Sequence, residues 1–406
     1  MGVETTAPAR STAVRHQHSD PADRPFLVIW EATRACPLAC RHCRASAQLA
    51  RYPGELDTAE AVALMRDVAS FGQPPPLFII TGGDPFQRPD LFDLVRAGAD
   101  AGLPVAVSPS GTPTLTPAAL AGLHRAGARA VSLSLDGATA ATHDAFRGVA
   151  GVYDLTLDAW RAARDIGLRV QVNTTVGRHN LTELPDIAAV VRSLGAMTWS
   201  AFLLVPTGRA AGLDAPTEAE VEDVFNWLYD IGTSLPTKTT EGHHFRRVAV
   251  QRDVLAELDE DPVTVLGLGP LYGDLCGRSA ALGLLDGEVR RRRPPMDVNA
   301  GRGFVFVSHV GSVHPSGFLP LSAGNVRQSP LPDLYRESEL FTALRDPARL
   351  HGRCGTCEFT SVCGGSRSRA FAVFGDVFAD EPWCGYQPGS FPYGDEVRAR
   401  LRGTRH

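Results

Sequence analysis

Phe26-Leu-Val-Ile-Trp30 is a short apolar run that leads into Cys36-Pro-Leu-Ala-Cys40-Arg-His-Cys43. The run predicts a buried β-strand, so the three cysteines lie on a tight loop directly after it. Three thiolates on a 4Fe–4S cube leave one iron without a protein ligand, which distinguishes a substrate-binding cluster from a closed electron-transfer cluster. A zinc site that lacks its fourth ligand is the alternative for this motif taken alone.

The other cysteines also favour metal binding over disulfides. Eight cysteines in 406 residues are too few for a disulfide scaffold. The segment Met1 to Arg24 has no apolar core and no signal-peptide cleavage pattern, so we expect a cytoplasmic protein in a reducing environment. Beyond the first motif, the cysteines are Cys276, Cys354, Cys357, Cys363 and Cys384.

The composition excludes several classes of protein. Hydrophobic residues make up 44% and charged residues 21% of the chain, which excludes a disordered protein. No apolar run approaches the roughly 18 residues that a membrane helix needs. The net charge of −5 gives no overall attraction to nucleic acid, so we expect neither a nucleic-acid nor a membrane partner. Lys238 is the only lysine, which we interpret as compositional bias without mechanistic meaning.

Strand-like and helix-like segments alternate along the first half of the chain. Strands are expected at Phe26–Trp30, Leu77–Ile80, Val105–Val107, Ala130–Leu135, Arg169–Val176 and Ser200–Val205. Helical segments follow them, and the resulting six strand–helix units predict a parallel sheet with right-handed crossovers. Six units are fewer than the eight of a complete barrel. We therefore expect an α/β fold with a partial (β/α)6 TIM-type barrel and its chemistry at the carboxyl ends of the strands.

The first cysteine motif resembles the signature of the radical S-adenosylmethionine (SAM) enzymes, CxxxCxxC after the first strand of such a barrel. The family usually has an aromatic residue before the last cysteine, where this chain has His42. The resemblance implies that Cys36, Cys40 and Cys43 bind a catalytic 4Fe–4S cluster whose open iron chelates SAM. In that family, an electron from a reductant such as flavodoxin or ferredoxin cleaves SAM to a 5′-deoxyadenosyl radical, which abstracts a hydrogen atom from the substrate.

Other parts of the barrel match the family in the same order. Gly82-Gly83-Asp84-Pro85 resembles the GGE-type motif that holds the SAM amino group, with Asp84 in place of glutamate. Ser134 and Asp136 match fourth-strand residues near the SAM ribose, and Arg147 matches the arginine that pairs with the SAM carboxylate. Taken alone, the glycine motif would equally fit a turn, and Arg147 would fit a surface arginine.

Four further residues lie at strand ends where family members contact substrate or adenosine; they are Ser108, Ser110, Asn173 and Val205. From the sequence alone, a role in packing the protein core explains these four residues equally well.

The later cysteines form a second group of possible metal ligands. Cys354-Gly-Thr-Cys357, Cys363 and Cys384 provide four thiolates, enough to close a cluster completely. Their spacing resembles that of the SPASM domain, a C-terminal extension of radical SAM maturases that binds fully ligated auxiliary 4Fe–4S clusters. A four-cysteine zinc site is the alternative.

The chain departs from a full SPASM domain at two positions. Ser316 and Arg367 stand where the full domain has further cysteines for another auxiliary cluster. Cys276 alone cannot hold that cluster, so we expect a single auxiliary cluster and interpret Cys276 as a small buried hydrophobe. His309, His314 and Ser316 are weak candidates for the active-site cavity, because histidines in turns are more often surface residues.

The resemblance covers about Arg24 to Tyr386 and predicts a radical SAM enzyme acting on a peptide or a cofactor precursor. An alternative substrate is a porphyrin of the haem pathway, whose side chain would undergo oxidative decarboxylation; the single-cluster pattern slightly favours it. Arg290 to Arg293 could hold a porphyrin carboxylate or an acidic leader peptide, although a solvated loop is the simpler interpretation. A zinc-binding interaction module without catalysis is the alternative from another class.

The domain organisation that follows has five parts. They are a disordered tail at 1–23, the barrel at 24–212, a helical linker at 213–265, a loop-rich α+β SPASM-like domain at 266–395 and a C-terminal tail at 396–406.

Overall fold

The computed structural model of the chain describes residues 14–15, 19–286 and 290–402. Ten strands in this part of the chain form one sheet. They are β1 (Leu27–Glu31), β2 (Leu77–Thr81), β3 (Val105–Val107), β4 (Ala130–Ser134), β5 (Arg169–Val176), β6 (Thr198–Leu203), β7 (Thr237–Thr240), β8 (Phe304–Val307), β9 (Ser312–His314) and β10 (Gly324–Asn325). Their order across the sheet is β10-β9-β8-β1-β2-β3-β4-β5-β6-β7.

Helices follow the strands of the barrel and build the C-terminal part. They are α1 (Thr58–Ala69), α2 (Leu91–Asp100), α3 (Pro117–Arg125), α4 (Ala140–Arg147), α5 (Val152–Asp165), α6 (Leu184–Leu194), α7 (Glu218–Ile231), α8 (Phe245–Leu258), α9 (Pro262–Leu266), α10 (Pro270–Ala281), α11 (Leu331–Glu337), α12 (Glu339–Arg345), α13 (Gly352–Thr356), α14 (Arg367–Phe374) and α15 (Gly394–Arg402). Asp57 caps α1 through a capping box with Glu60. No helix in the described ranges is both long enough and apolar enough to cross a lipid bilayer.

The parallel sheet is an open barrel, which confirms the predicted α/β fold class. Strands β1 to β6 pair in parallel and in sequence order. Two strands that the sequence analysis did not predict extend this sheet in parallel, since β7 pairs with β6 and β8 pairs with β1. The last two strands, β9 and β10, are antiparallel.

Alternate residues of β5 face opposite sides of the barrel wall. Val170 and Val172 are buried in the apolar core. Gln171 and Asn173 instead line an internal cavity, which we call the barrel cavity. The period-2 pattern of this strand therefore separates the residues that stabilise the fold from those that face the site.

Parts of both predicted tails pack against the C-terminal region. Val14 is buried and Arg15 pairs with Met296 in an isolated bridge. At the other end, helix α15 buries Val397 and Leu401. The remainder of the two tails, residues 1–13, 16–18 and 403–406, lies outside the described residues.

Arg369 fastens the C-terminal region to the barrel. Its fully buried guanidinium donates to the carbonyls of Leu203 and Leu204 at the end of β6, both at 3.1 Å. It also donates to the Glu241 carbonyl at 2.7 Å and pairs with the Glu381 carboxylate at 2.8 Å. One side chain thus satisfies three backbone acceptors and one buried carboxylate.

Replacing Arg369 by methionine should destabilise the protein strongly. The change leaves the Glu381 charge buried without its partner, which costs about 3–5 kcal/mol of unfolding free energy. Anaerobic urea denaturation followed by tryptophan fluorescence measures the loss. Arg96→Met is the matched control, because the exposed pair of Arg96 with Asp93 is worth less than about 1 kcal/mol. Equal effects of the two changes would contradict this assignment.

Candidate functional site

The barrel cavity has a volume of about 330 Å³ and lies inside the open barrel. Cys36, Cys40 and Cys43 all line it. They lie on the loop of residues 33–47, here called the cysteine loop, which follows the carboxyl end of β1. The structure therefore brings the three thiols of the first motif to one wall of one cavity.

Each of these thiols is close to an N–H donor. The Leu38 backbone N–H contacts Cys36 Sγ at 3.4 Å, and the Ala47 N–H contacts Cys43 Sγ at 3.4 Å. Arg147 Nη1 lies 3.8 Å from Cys40 Sγ. Burial raises the pKa of the free Cys36 thiol to about 11, so a metal must displace its proton. The N–H donors stabilise the resulting thiolates, and the donor set fits an iron–sulfur cluster.

Gly82 and Gly83 hold the cysteine loop in place. The Gly83 N–H donates to the Thr33 carbonyl at 2.7 Å. A Cβ atom at Gly83 would lie only 2.3 Å from the Ala35 carbonyl oxygen, so a side chain does not fit there. Both glycines also line the barrel cavity. The sequence analysis expected these small glycines to let a ligand approach the backbone closely. In the structure, the backbone of the cysteine loop makes that close approach.

Asp84 and Pro85 lie behind this wall. The buried Asp84 carboxylate accepts hydrogen bonds from Thr112 Oγ1 at 3.1 Å and from the Ser110 N–H at 3.4 Å. Pro85 begins a short 3₁₀ turn. Neither residue is among those lining the barrel cavity, so both support the glycine motif from behind.

Asp136 and Arg147 form a buried ion pair at 2.5 Å. Burial opposes ionisation of Asp136, but the charge of Arg147, together with His42, His143 and the Thr175 N–H, outweighs burial and lowers the pKa of that carboxyl group. Arg147 lines the barrel cavity, whereas Asp136 lies behind it. The carboxylate therefore orients the guanidinium toward Cys40.

The strand-end residues divide between the cavity and the core. Ser108, Ser110, Ser134 and Asn173 line the barrel cavity. Val205 is buried and does not line it.

His42 has a stacked ring, as expected for the position before the third cysteine. Its imidazole lies on the Phe146 ring with 4.5 Å between centroids and an interplanar angle of 2°. Phe146 in turn stacks on His179 at 3.7 Å. Burial lowers the pKa of His42 to about 3, so this imidazole is neutral.

The second group of cysteines lines another, smaller cavity. Cys354, Cys357, Cys363 and Cys384 all contribute to it, and we call it the four-cysteine cavity. In the described part of the chain, no three His, Cys, Asp or Glu side chains are arranged to hold a single metal ion. Burial raises the pKa of the Cys384 thiol to about 11.

N–H donors also surround these four thiols. Arg247 Nη2 lies 3.8 Å from Cys384 Sγ, and the Glu381 N–H lies 3.3 Å from Cys354 Sγ. Arg367, which stands where a full SPASM domain has a cysteine, points its Nη2 at Cys354 Sγ from 3.9 Å. Arg367 cannot itself be a ligand, but it contacts the thiol of Cys354, which can.

Of the weaker candidates, Ser316 lines the barrel cavity, and the others lie apart from it. Cys276 packs partly buried against the core and lines neither cavity. Of the arginine run, Arg292 stacks on Tyr229 at 3.2 Å, and the other three side chains are exposed. His309 pairs with Glu31 at 2.8 Å, and His314 contacts a backbone carbonyl.

Arg209, Lys238 and Glu241 are among the polar residues of the barrel cavity that escaped the sequence analysis. Lys238 lies on β7, and Glu241 directly follows this strand. The only sign of a strand in the sequence was the β-branched threonines that flank the lysine in Thr237-Lys-Thr-Thr240. It is weak, because the four-residue segment has no apolar side to identify it as a strand.

The sequence and structure are similar to known proteins. The sequence model of the Radical SAM superfamily matches residues 30–191. A relative from Nitratidesulfovibrio vulgaris named AdoMet-dependent heme synthase is 42% identical over 366 residues, covering 89% of this chain and 92% of the relative. A protein of the same name from Methanosarcina barkeri is 38% identical over 367 residues, covering 90% and 97%.

The solved structure of Streptococcus suis SuiB superposes with a TM-score of 0.65 over 90% of this chain and 78% of that chain. Its sequence identity is 14%, so this likeness concerns the fold alone.

Gly83→Ala should prevent normal assembly of the first cysteine site. The new methyl group collides with the Ala35 carbonyl and must displace the cysteine loop. Displacing catalytic groups by about 1 Å lowers the activity of an enzyme roughly 100-fold. We expect reconstituted protein to lose a large share of its iron–sulfur absorbance at about 400 nm. Gly277→Ala is the control, because nothing lies within 4 Å of a Cβ at that position. A normal spectrum for Gly83→Ala would show that the loop is not held in this way.

Proposed function

The chain belongs to the radical SAM superfamily, and we propose that this enzyme converts propionate side chains of an iron porphyrin into vinyl groups. The resemblance noted in the sequence is thereby confirmed at the level of the family. The similarity to AdoMet-dependent heme synthase carries the proposal, because it spans 92% of that relative. It favours the porphyrin alternative over a peptide substrate.

The proposed reaction is an oxidative decarboxylation. The propionate loses a hydrogen atom from the carbon next to the porphyrin ring, the bond to its carboxylate breaks, and CO₂ leaves. When bound, the 4Fe–4S cluster and SAM supply the 5′-deoxyadenosyl radical that accepts the hydrogen atom. One electron per side chain remains and requires an acceptor, which we assign to the second cysteine site.

The first site would hold the catalytic cluster through Cys36, Cys40 and Cys43. With three protein thiolates, such a cluster would have one iron without a protein ligand, as SAM binding requires. We assign the SAM-facing surface to Gly82, Gly83, Ser108, Ser134, Arg147 and Asn173, all of which line the same cavity. Asp84, Pro85, Asp136 and Val205 would act from behind, by fixing the residues that face the cofactor.

The second site would hold one auxiliary 4Fe–4S cluster. Four cysteines suffice to close a cube, and the surrounding N–H groups suit its negative charge. We keep the proposed division into a barrel segment at 24–212, a linker at 213–265 and a SPASM-like segment at 266–395, with the linker contributing β7 and the SPASM-like segment contributing β8 to the barrel sheet. We also propose a cytoplasmic location and reduction by a flavodoxin or ferredoxin, since the clusters need a reducing environment.

Iron analysis of cysteine variants tests the two-cluster assignment. Replacing Cys36, Cys40 and Cys43 by alanine should leave about four irons per chain, which is one cube. Replacing Cys354, Cys357, Cys363 and Cys384 should also leave about four. Cys276→Ala is the control and should retain about eight. If the first variant held no iron, or still held about eight, a single auxiliary cluster could not be correct.

Turnover of iron coproporphyrin III tests the reaction. This porphyrin carries a propionate at each position where haem has a vinyl group. Reconstituted enzyme with SAM and a reductant should release CO₂ and form vinyl groups, detected by mass spectrometry. Porphyrin deuterated next to the ring should transfer deuterium to 5′-deoxyadenosine. The variant lacking Cys36, Cys40 and Cys43 is the control, and no deuterium transfer by the wild type would refute the proposed substrate.

A further inference from the structure

We propose that Lys238 binds a carboxylate of the substrate inside the barrel cavity, a role that rests on the proposed function. Its side chain lines the cavity. The residue has a large accessible surface, which we assign to the cavity that it lines. The ligand class we assign to this position is a propionate-type carboxylate of the tetrapyrrole.

The strand register places Lys238 beside the residues assigned to SAM. Ser134 pairs with Asn173, Asn173 pairs with Ser200, and Ser200 pairs with Lys238 across three neighbouring strand pairs. These four residues form one row across the barrel wall, and side chains in such a row point to the same side. A carboxylate at Lys238 would therefore lie next to the part of the wall that faces SAM.

Lys238 is a cavity-lining cation for which the described residues supply no partner. Four cationic side chains of the described residues line the cavity, namely Arg44, Arg147, Arg209 and Lys238. Arg44 pairs with Glu31 at 3.0 Å, and Arg147 pairs with Asp136. Arg209 and Lys238 are both accessible, but Arg209 lies on a short 3₁₀ turn, whereas Lys238 lies on β7 in the barrel wall. Among the described residues, the Lys238 ammonium has no hydrogen bond and no ion pair, and an unpaired charge on a cavity wall favours binding of an anion.

The acidic residue of the cavity does not neutralise Lys238. Glu241 lines the same cavity, but its carboxylate is already occupied by three hydroxyl groups. Ser316 and Ser368 donate to it at 2.9 and 3.1 Å, and Ser366 donates to its other oxygen. The interior positive charge at Lys238 therefore stays available for a ligand.

The charge state of Lys238 suits this role. Burial, together with the nearby charge of Arg15, lowers the pKa of Lys238 to about 8. The side chain thus remains mostly protonated at neutral pH, and a bound carboxylate would favour the protonated form further. The sole lysine of an otherwise arginine-based chain stands at this position.

Binding of two porphyrins to matched variants tests the proposal. The probes are iron coproporphyrin III and its tetramethyl ester, titrated anaerobically in one solvent mixture and followed by porphyrin absorbance. Wild-type protein should bind the acid more tightly than the ester. Lys238→Met should weaken binding of the acid by about 10- to 100-fold, the value of a charge-assisted hydrogen bond, and should leave ester binding much less affected.

Two further variants separate charge from structure. Lys238→Arg keeps the positive charge and should restore most of the preference for the acid. Thr237→Val changes the neighbouring residue on the same strand, which does not line the cavity, and should bind like the wild type. Iron content and absorbance spectra of all variants establish that they are folded and loaded with clusters.

The outcomes distinguish this inference from the proposed function. If the wild type converts the porphyrin and Lys238→Met still prefers the acid over the ester, only the role of Lys238 is wrong. If Lys238→Met weakens acid and ester equally, the residue shapes the cavity and does not recognise a carboxylate. If the wild type neither binds nor converts the porphyrin, the proposed function is wrong and the assignment of Lys238 falls with it.

Discussion

The position of the cysteine loop is fixed by contacts between backbones, and one wall of the barrel cavity depends on that constraint. Gly83 meets the backbone of Ala35, and from another side a Cβ at Gly148 would lie 2.7 Å from the Ala39 carbonyl oxygen. The Arg209 N–H donates to the Cys43 carbonyl at 3.1 Å. Three separate segments of the barrel thus hold the loop without relying on flexible side chains. Such contacts allow little adjustment, which suits a site that must orient a reactive group within a fraction of an ångström.

A short polar path joins the two cavities. Glu241 lines the barrel cavity, and its carbonyl accepts a hydrogen bond from Arg369 at 2.7 Å. Arg369 pairs with Glu381, which lines the four-cysteine cavity. Three residues therefore span the wall between the cavities. Because these side chains are buried and mutually satisfied, they hold the two sites at a fixed separation, as transfer of an electron between them would require.

The sequence predicted the elements with strong local signals. The six strands of the barrel core were expected within a few residues of their observed bounds, because they are short apolar runs or, like β5, alternate apolar and polar residues. Strands β7 and β8 were missed as members of the sheet. The four residues of β7 are polar, and β8 joins β1 from far along the chain, so only long-range pairing reveals them. Lys238 was taken as compositional bias for the same reason, since its environment depends on where β7 lies.

The arrangement of charge within the barrel argues for the substrate class independently of sequence similarity. The exposed side chains of Arg290, Arg291 and Arg293 can attract many anions, but they are screened by solvent and lie outside the barrel cavity. Interior charges are more selective, because each one must be matched by a partner. In this cavity Arg147 is paired with Asp136 and Glu241 is hydrogen-bonded by three serine hydroxyl groups, whereas Lys238 has no partner among the described residues. A substrate with a carboxylate on a flexible side chain satisfies that charge, and an uncharged side chain would leave it buried and unpaired.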